Sequence, residues 1–581
     1  MSNRRLSKLW QYLRPNWPLI IIGVVSLLIV NILGVYIPLM IKNVTNGLGN
    51  HFEFVNIEKQ ITILVLLISL MWLIRIISRI ALFGAGRQVE IYLKQKIFDH
   101  LLKMDPSYFS INTSGDLINR STSDVENIRR LVGFALLSLI NTIFAYTFTL
   151  PAMIALDLPL SVMALSVYPL MLITVKIFSG KLRDQQIEIQ QRLSDLSEMI
   201  QEDVSGIALI KIYSQEENER IAFRKKNRAL LSSNLKLVST RNFLFAIIEG
   251  ITSLSLLILI WAGGIAIFKG QIKVGDFLAL LILIERLVFP TALLGFTITA
   301  YQRGEVSIDR IEEIFQTSPG IDNAPNPLPM PKEQVAGAIK AVDLSYTYAG
   351  AKTAALKNLN FEIAPGEIIA VVGAVGSGKS TLANALPRML NIAPGKLFID
   401  QKDITSIKLE DLRRSIAYVP QESFLFSTDI RNNIRYGDPL ADNTRVEKSA
   451  KLAQIHQEIL NFPQQYDSLV GERGITLSGG QRQRMALARA LTVDAPIIIL
   501  DDCLASVDNQ TATEILANFS NQKGKTIVFI SHQLSAAAKA NRIFVMEKGR
   551  IVQIGTHKEL LQQEGIYQFL WQQNQLEKIL Q

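Results

Sequence analysis

The feature that most constrains this chain is a set of apolar windows in its first 300 residues, each long enough to cross a bilayer. Hydrocarbon offers no partners to backbone N–H and C=O groups, so a span must be helical, and about 20 apolar residues of helix cross the core. Such windows lie at 17–41, 60–83, 132–156, 158–178, 243–268 and 277–301. The first is too long for a signal-peptide core and lacks a small-residue cleavage site, so it reads as a retained span. Six spans put both ends of the chain on one side of the membrane. Hydrophobic residues make up 49% of the 581, and their concentration in this half excludes a soluble protein.

The connections decide which side that is. Segments 43–58, 157 and 269–276 are short or poor in basic residues, whereas 84–131 and 179–242 are long and carry Arg87, Arg129, Arg183, Arg228 and many other cations. By the positive-inside tendency the long segments and both termini are cytoplasmic. The same bias accounts for the net charge of +9 without nucleic acid as a partner. Few Gly or Pro interrupt the long segments, so the helices are expected to continue past the bilayer. A break at Thr113–Asp116 allows one short transverse helix, and Gly206 opens another, from Ile207 to Tyr213. Residues 3–14 read as an amphipathic interfacial helix. The single cysteine, Cys503, excludes a disulfide framework and fits a reducing cytosol for its half. The five scattered histidines suggest no zinc site.

Charges inside spans are costly and ask for a reason. Glu249, Glu285 and Arg286 are expected to line a polar translocation cavity. Arg75 and Arg79, four apart on one face of the second span, fit a cavity lining and a structural role, pairing or snorkelling to an interface, equally.

A proline-rich linker, 316–336, separates this membrane domain (1–315) from a second domain (337–581) in which short apolar strands alternate with helices, an α/β pattern. After the apolar run 368–372 comes Gly373-Ala374-Val375-Gly376-Ser377-Gly378-Lys379-Ser380-Thr381. Strand, GxxxxGK[ST] loop and helix together make a phosphate cradle: glycines let backbone N–H groups converge on phosphate oxygens, Lys379 reaches the β/γ-phosphates, and Ser380 ligates Mg²⁺. ATP and Mg²⁺ are the expected cofactors. A second apolar strand, 497–500, ends in Asp501-Asp502. Asp501 would hold Mg²⁺ with Ser380, Asp502 would face the attacking water, and His532, after the strand 526–530, would meet the γ-phosphate.

Leu477-Ser478-Gly479-Gly480-Gln481 followed by Arg482-Gln483-Arg484 is the signature sequence of ABC transporter ATPases, which this chain resembles over nearly its whole length. By that resemblance Tyr348 stacks on adenine. Gln421, in Tyr418-Val419-Pro420-Gln421, is the Q-loop and a further Mg²⁺ contact. Gly471-Glu472-Arg473-Gly474 is the exporter X-loop, Asp508 ends the D-loop, and His532 is the switch histidine. Gly115-Asp116-Leu117-Ile118-Asn119-Arg120 is similar to the exporter membrane domain. The implied architecture is an α-helical six-span domain fused to an α/β P-loop nucleotide-binding domain, that is, a half-transporter in the cell membrane. It would bind hydrophobic or amphiphilic small molecules and work as a dimer in which Ser478–Gln481 of one subunit closes over nucleotide on the other.

One position departs from the family. Leu500-Asp501-Asp502 stands where members usually read Leu-Asp-Glu, so Asp502 occupies the general-base position with a shorter side chain, and Cys503-Leu504-Ala505 replaces the common Ala-Thr-Ser. This resembles the degenerate-site half of heterodimeric bacterial multidrug exporters. The alternatives are a homodimeric exporter with a working Asp base, a siderophore-type importer on the same fold, and a regulatory pseudo-ATPase.

Overall fold

The computed structural model describes residues 2–48, 54–471, 474, 477–504, 507, 509–520 and 524–580. It divides into two compact units, Met1–Leu102 with Thr113–Thr317, and Lys103–Asn112 with Ser318–Gln581.

Six helices of the first unit are long and apolar enough to cross a membrane: Ser7–Gly47, Glu58–Leu101, Ser114–Leu156, Leu158–Ser205, Glu216–Phe268 and Val274–Gln316. Each holds one of the six sequence windows. The shortest has 41 residues, about twice what the hydrocarbon core needs, so every helix runs on beyond the bilayer. The helix Ser2–Leu13 also forms. Its Tyr12 and Leu13 are buried against Val89, Ile308 and Ile311, and Glu312 of the sixth span takes both Lys8 (2.8 Å) and the Tyr12 hydroxyl.

The third span departs from a regular α-helix. It contains two π turns, Arg120–Asp124 and Leu131–Ala135. Apolar periodicity carries no signal for such turns; the polar partners at the first one supply a reason. Asp116 accepts from Arg120 Nε (2.7 Å) and Arg310 Nη2 (2.6 Å). Asp124, buried eight residues further on, takes Ser307 Oγ (2.7 Å) and lies 3.1 Å from Arg310 Nη1. A single guanidinium of the sixth span thus holds two carboxylates of the third, and the extra residue of the π turn brings Asp124 within its reach.

The short helices fall close to where they were expected. Ile207–Ile212 is helical. In the first long segment the helix is Pro106–Ile111, just before the expected break, and Thr113 caps the following helix by accepting from Asp116 N–H. Pro106 at the first helical position and Asp105 before it start that helix; the break is a helix cap.

In the second unit, 318–336 is an ordered strap rather than a loose tether. Leu328 exchanges backbone hydrogen bonds with Ser406 and Lys408, and buried Met330 donates its N–H to Asp411 Oδ2 at 3.0 Å. Beyond it, among the described residues, lie ten strands: β1 (Ile339–Tyr346), β2 (Leu356–Ile363), β3 (Ile368–Gly373), β4 (Leu397–Ile399), β5 (Lys402–Asp403), β6 (Ile416–Val419), β7 (Ile497–Asp501), β8 (Thr526–Ile530), β9 (Arg542–Glu547) and β10 (Arg550–Gly555). Strands β2-β1-β4-β5 form an antiparallel sheet. The other sheet runs β10-β9-β3-β8-β7-β6, parallel from β9 to β6. Strands β7 and β8 are buried at every position, which is why they read as continuous β-branched runs rather than alternating ones.

Replacing Arg310 with Met should destabilise the chain by about 3 kcal/mol, because the buried Asp124 loses its cation. Thermal unfolding of the detergent-purified protein measures this, and adding Asp124→Asn to the same chain should recover most of the loss.

Candidate functional site

Strand register brings the expected residues to one edge. Val371 of β3 pairs with Ile530 of β8, which pairs with Asp501 of β7. The phosphate loop, the two aspartates and His532 therefore all leave from the same row, at the C-terminal edge of parallel strands, where ligands of such sheets bind.

The loop is closely fitted. Gly378 has φ +100°, and an added Cβ would lie 2.6 Å from Ala355 O; at Gly373 it would lie 2.2 Å from Met546 O. Gly376 also has positive φ. Ser377 Oγ is buried without a hydrogen-bond partner among the described residues. Lys379 is buried, and its Nζ donates to Gly373 O (2.9 Å) and Ala374 O (2.8 Å). Burial lowers the Lys379 pKa against the opposing pull of Asp502 and Asp501. The helix it begins, Lys379–Ala385, has only seven residues, so the cradle rests on the loop more than on a helix dipole. Thr381 Oγ1 meets the Tyr348 hydroxyl at 3.2 Å, which sets the half-exposed Tyr348 ring beside the loop.

Ser380 Oγ donates to Asp501 Oδ1 at 2.9 Å. The two groups expected to share a cation are thus in contact. The other Asp501 oxygen is 3.4 Å from the Tyr418 hydroxyl, which also donates to Asn384 Oδ1 at 2.8 Å. Burial raises the Asp501 pKa and Asp502 adds to the rise, against the Ser380 and Tyr418 hydrogen bonds and Lys379. Asp502 is itself buried, in the left-handed region (φ +48°), with its N–H donated to Ile530 O at 3.1 Å. Cys503 is buried with its thiol pushed up to about 12, so it is inert. Gln421 and His532 are exposed at the same edge. Asp508, Ala505, Glu472 and Arg473 lie outside the described residues.

The signature Ser478 begins the helix Gly479–Thr492 as a capping box. Its Oγ accepts from Gln481 N–H at 3.2 Å, and its N–H donates to Gln481 Oε1 at 2.9 Å. Gln481 Nε2 in turn donates to Glu458 (2.9 Å), which also pairs with Arg484 at 2.7 Å. Ser478 is exposed, with Gly479 and Gly480 partly so, leaving this helix start open to a ligand. Glu458, Tyr418 and Asn384 escaped the sequence reading. Tyr418 had a local signal, as the end of the strand before Gln421; Glu458, 23 residues from Gln481, had none.

Within the spans, no hydrogen bond or ion pair joins Glu249, Glu285 and Arg286 among the described residues. Glu249 and Glu285 are exposed on the fifth and sixth spans. Arg286 turns to the first span, where its Nη2 donates to Asn31 Oδ1 (2.9 Å) and Asn31 O (3.3 Å). A Cβ at position 34 would collide with the guanidinium, so Gly34 makes its room.

The residues present fit ATP and Mg²⁺: an orphaned buried hydroxyl, a buried ammonium, a glycine-walled loop and a Ser–Asp pair surround one edge. Lys379, Ser377 and the loop N–H groups would hold the phosphates, and Ser380 and Asp501 the cation. Gly378→Ala should weaken ATP binding about tenfold or more, since a side chain there meets both a forbidden φ and a carbonyl; equilibrium binding of a fluorescent ATP analogue measures it. Asp501→Asn should bind Mg·ATP poorly yet unfold at a higher temperature at neutral pH. A carboxylate whose folded pKa is raised costs stability once pH exceeds that pKa, so the variant's advantage should shrink as pH falls and Asp501 takes up its proton.

Residues 20–291 match the ABC transporter transmembrane region family, and residues 356–505 match the ABC transporter family. A probable multidrug resistance ABC transporter ATP-binding/permease protein of Bacillus subtilis is 30% identical over 574 residues, 98% of each chain. An ATP-dependent lipid A-core flippase of Syntrophus aciditrophicus is 31% identical over 579 residues, 98% of this chain and 95% of that one. The structure of a bacterial Atm1-family ABC exporter with ATP bound is similar at a TM-score of 0.75 and 23% identity, over 98% of this chain and 99% of that one, and shares the fold. A membrane-spanning region and an ATP-hydrolysing unit are thus fused in one polypeptide, an integral membrane protein homologous to multidrug ABC exporters, and the chain belongs to the ABC transporter family.

Proposed function

We propose that this chain is one half of an ATP-driven exporter of amphiphilic small molecules and pairs with a homologous subunit whose own ATP site does most of the hydrolysis. Its basic helix extensions support an orientation with the ATPase unit and both termini in the cytoplasm, in the inner membrane of a bacterium. The names of the relatives, a multidrug resistance transporter and a lipid A-core flippase, support an amphiphilic substrate and the outward direction.

The observation that carries the pairing is Asp502. It follows Asp501 at the edge that holds Lys379 and Ser380, where a base must reach an attacking water. Its carboxylate stops one C–C bond, about 1.5 Å, short of a glutamate's. A well-placed base contributes about 10²–10⁴-fold, and proton transfer falls off steeply with misplacement. The left-handed backbone at Asp502 suits the short acid, because Asp takes that conformation more readily than longer residues. When bound, ATP supplies the phosphoanhydride that is cleaved. Lys379 and Ser377 bind its phosphates, Ser380 with Asp501 and Gln421 hold Mg²⁺, Tyr348 packs on the base, and His532 senses the γ-phosphate. Binding survives the short acid, and turnover suffers. The exposed Ser478-Gly479-Gly480 then serves the partner's nucleotide.

The test compares the isolated chain with its co-purified partner complex. The chain alone should bind ATP with little turnover, and Asp502→Glu should raise its hydrolysis about tenfold or more. Robust turnover by a homodimer of the native chain would overturn the pairing.

A further inference from the structure

Four arginines line one cavity of about 820 Å³ in the first unit: Arg130, Arg183, Arg241 and Arg303, from the third, fourth, fifth and sixth spans. No acidic side chain lines it among the described residues. Each arginine stands just past its span's apolar window: Arg130, Arg183 and Arg241 at the end that meets a long basic segment, and Arg303 at the end that runs on to the linker. They therefore share one depth, the membrane–water boundary. The wall changes character toward the bilayer. Phe134, one turn into the third span from Arg130, and Phe296, two turns into the sixth from Arg303, line the same cavity.

Interfacial arginines commonly reach out to lipid headgroups, and that would explain four arginines pointing outward. It does not explain four that face one cavity between helices. Two have carboxylates near: Arg130 donates to Glu126 at 3.0 Å, and Arg183 lies 3.6 Å from its neighbour Asp184. Arg241 and Arg303 have no carboxylate partner among the described residues. Like charges converging without a counter-ion repel one another unless an anion enters, and guanidinium forks suit phosphate and carboxylate oxygens.

We infer that this cavity binds the anionic head of an amphiphile, with its apolar body against Phe134 and Phe296, and that the exported substrate class is therefore anionic. The inference rests on the export reading above. A phosphate or carboxylate head could belong to a membrane lipid or to a free amphiphilic solute; the chemistry at the arginines is the same.

The full-length chain, as the complex it forms in the membrane, is tested in nanodiscs with two dansyl probes of equal alkyl length, one ending in phosphate and one in trimethylammonium. Wild type should bind the phosphate probe about tenfold more tightly or better, and Arg241→Gln with Arg303→Gln should erase that preference while the lysine pair restores part of it. Equal affinity for both probes, or a preference that survives the double substitution, overturns the inference. Competition by phosphatidylglycerol nanodiscs, but not phosphatidylcholine ones, assigns the head to a lipid; an unchanged phosphate-probe affinity assigns it to a solute. ATP-dependent uptake into inverted vesicles separates the two readings. Uptake of the cationic probe without anionic preference leaves export standing and removes this site. Arginine-dependent binding without uptake of either probe does the reverse.

Discussion

The hydrogen-bonded register of β3, β8 and β7 is the constraint on which the nucleotide site depends. Because Val371, Ile530 and Asp501 share one row, the residues that follow them emerge together. The lock continues past the strands: Ser531 N–H donates to Val371 O at 3.3 Å and Asp502 N–H to Ile530 O at 3.1 Å. A slip of one residue would swap the faces of each side chain and carry Asp501 out of step with Ile530 and Val371. The Ser380–Asp501 contact is the visible consequence: two side chains 121 positions apart meet because two strand ends do.

That dependence explains what could be read from the sequence. The six spans were legible because helix length and hydropathy are local properties, and lipid leaves the backbone no other choice. The phosphate loop and Asp501 were legible because each is a short motif tied to a strand end. The π turns of the third span were not. The first of them answers to Arg310 and to Ser307, the latter 183 residues from Asp124, and no local pattern encodes such partners. Glu458, which holds the signature Gln481 and Arg484, was hidden for the same reason. The linker's prolines were legible, but not what it lies against: Met330 is buried and Leu328 exchanges backbone hydrogen bonds with Ser406 and Lys408. Composition registers stiffness, and it cannot register what a stiff segment lies against.

Asp502 shows how a local departure gains meaning from its backbone. A missing methylene in an ordinary strand would be a small change that its neighbours could absorb. Here the residue is buried, has positive φ, and follows a second carboxylate whose own pKa burial has raised. Two adjacent acids in a low-dielectric edge repel, and the buried Lys379 nearby is the compensating cation. On the proposed reading, cation and phosphate binding would draw on Asp501, Ser380 and Lys379, none of which depends on the length of Asp502. The proposed function therefore separates holding nucleotide from cleaving it by the reach of one side chain.

The membrane unit keeps its cations at two depths, and the cost of each explains its surroundings. Arg286 lies within the apolar window of the sixth span, where an unsupported charge is expensive. The fold supplies it with an amide oxygen, a backbone carbonyl and a glycine-sized gap, yet no carboxylate among the described residues. Asn31 also donates from Nδ2 to Asn141 Oδ1 at 3.1 Å, extending the polar contact to the third span. A full ion pair would bury the charge more cheaply, so a positive charge at this depth is retained at a cost in stability. Arg241 and Arg303, at the aqueous boundary, need no such scaffold, because water and headgroups solvate them. Their convergence on a cavity is therefore not forced by the solvation of each arginine, and recognition of an anion is the physical reason that accounts for it.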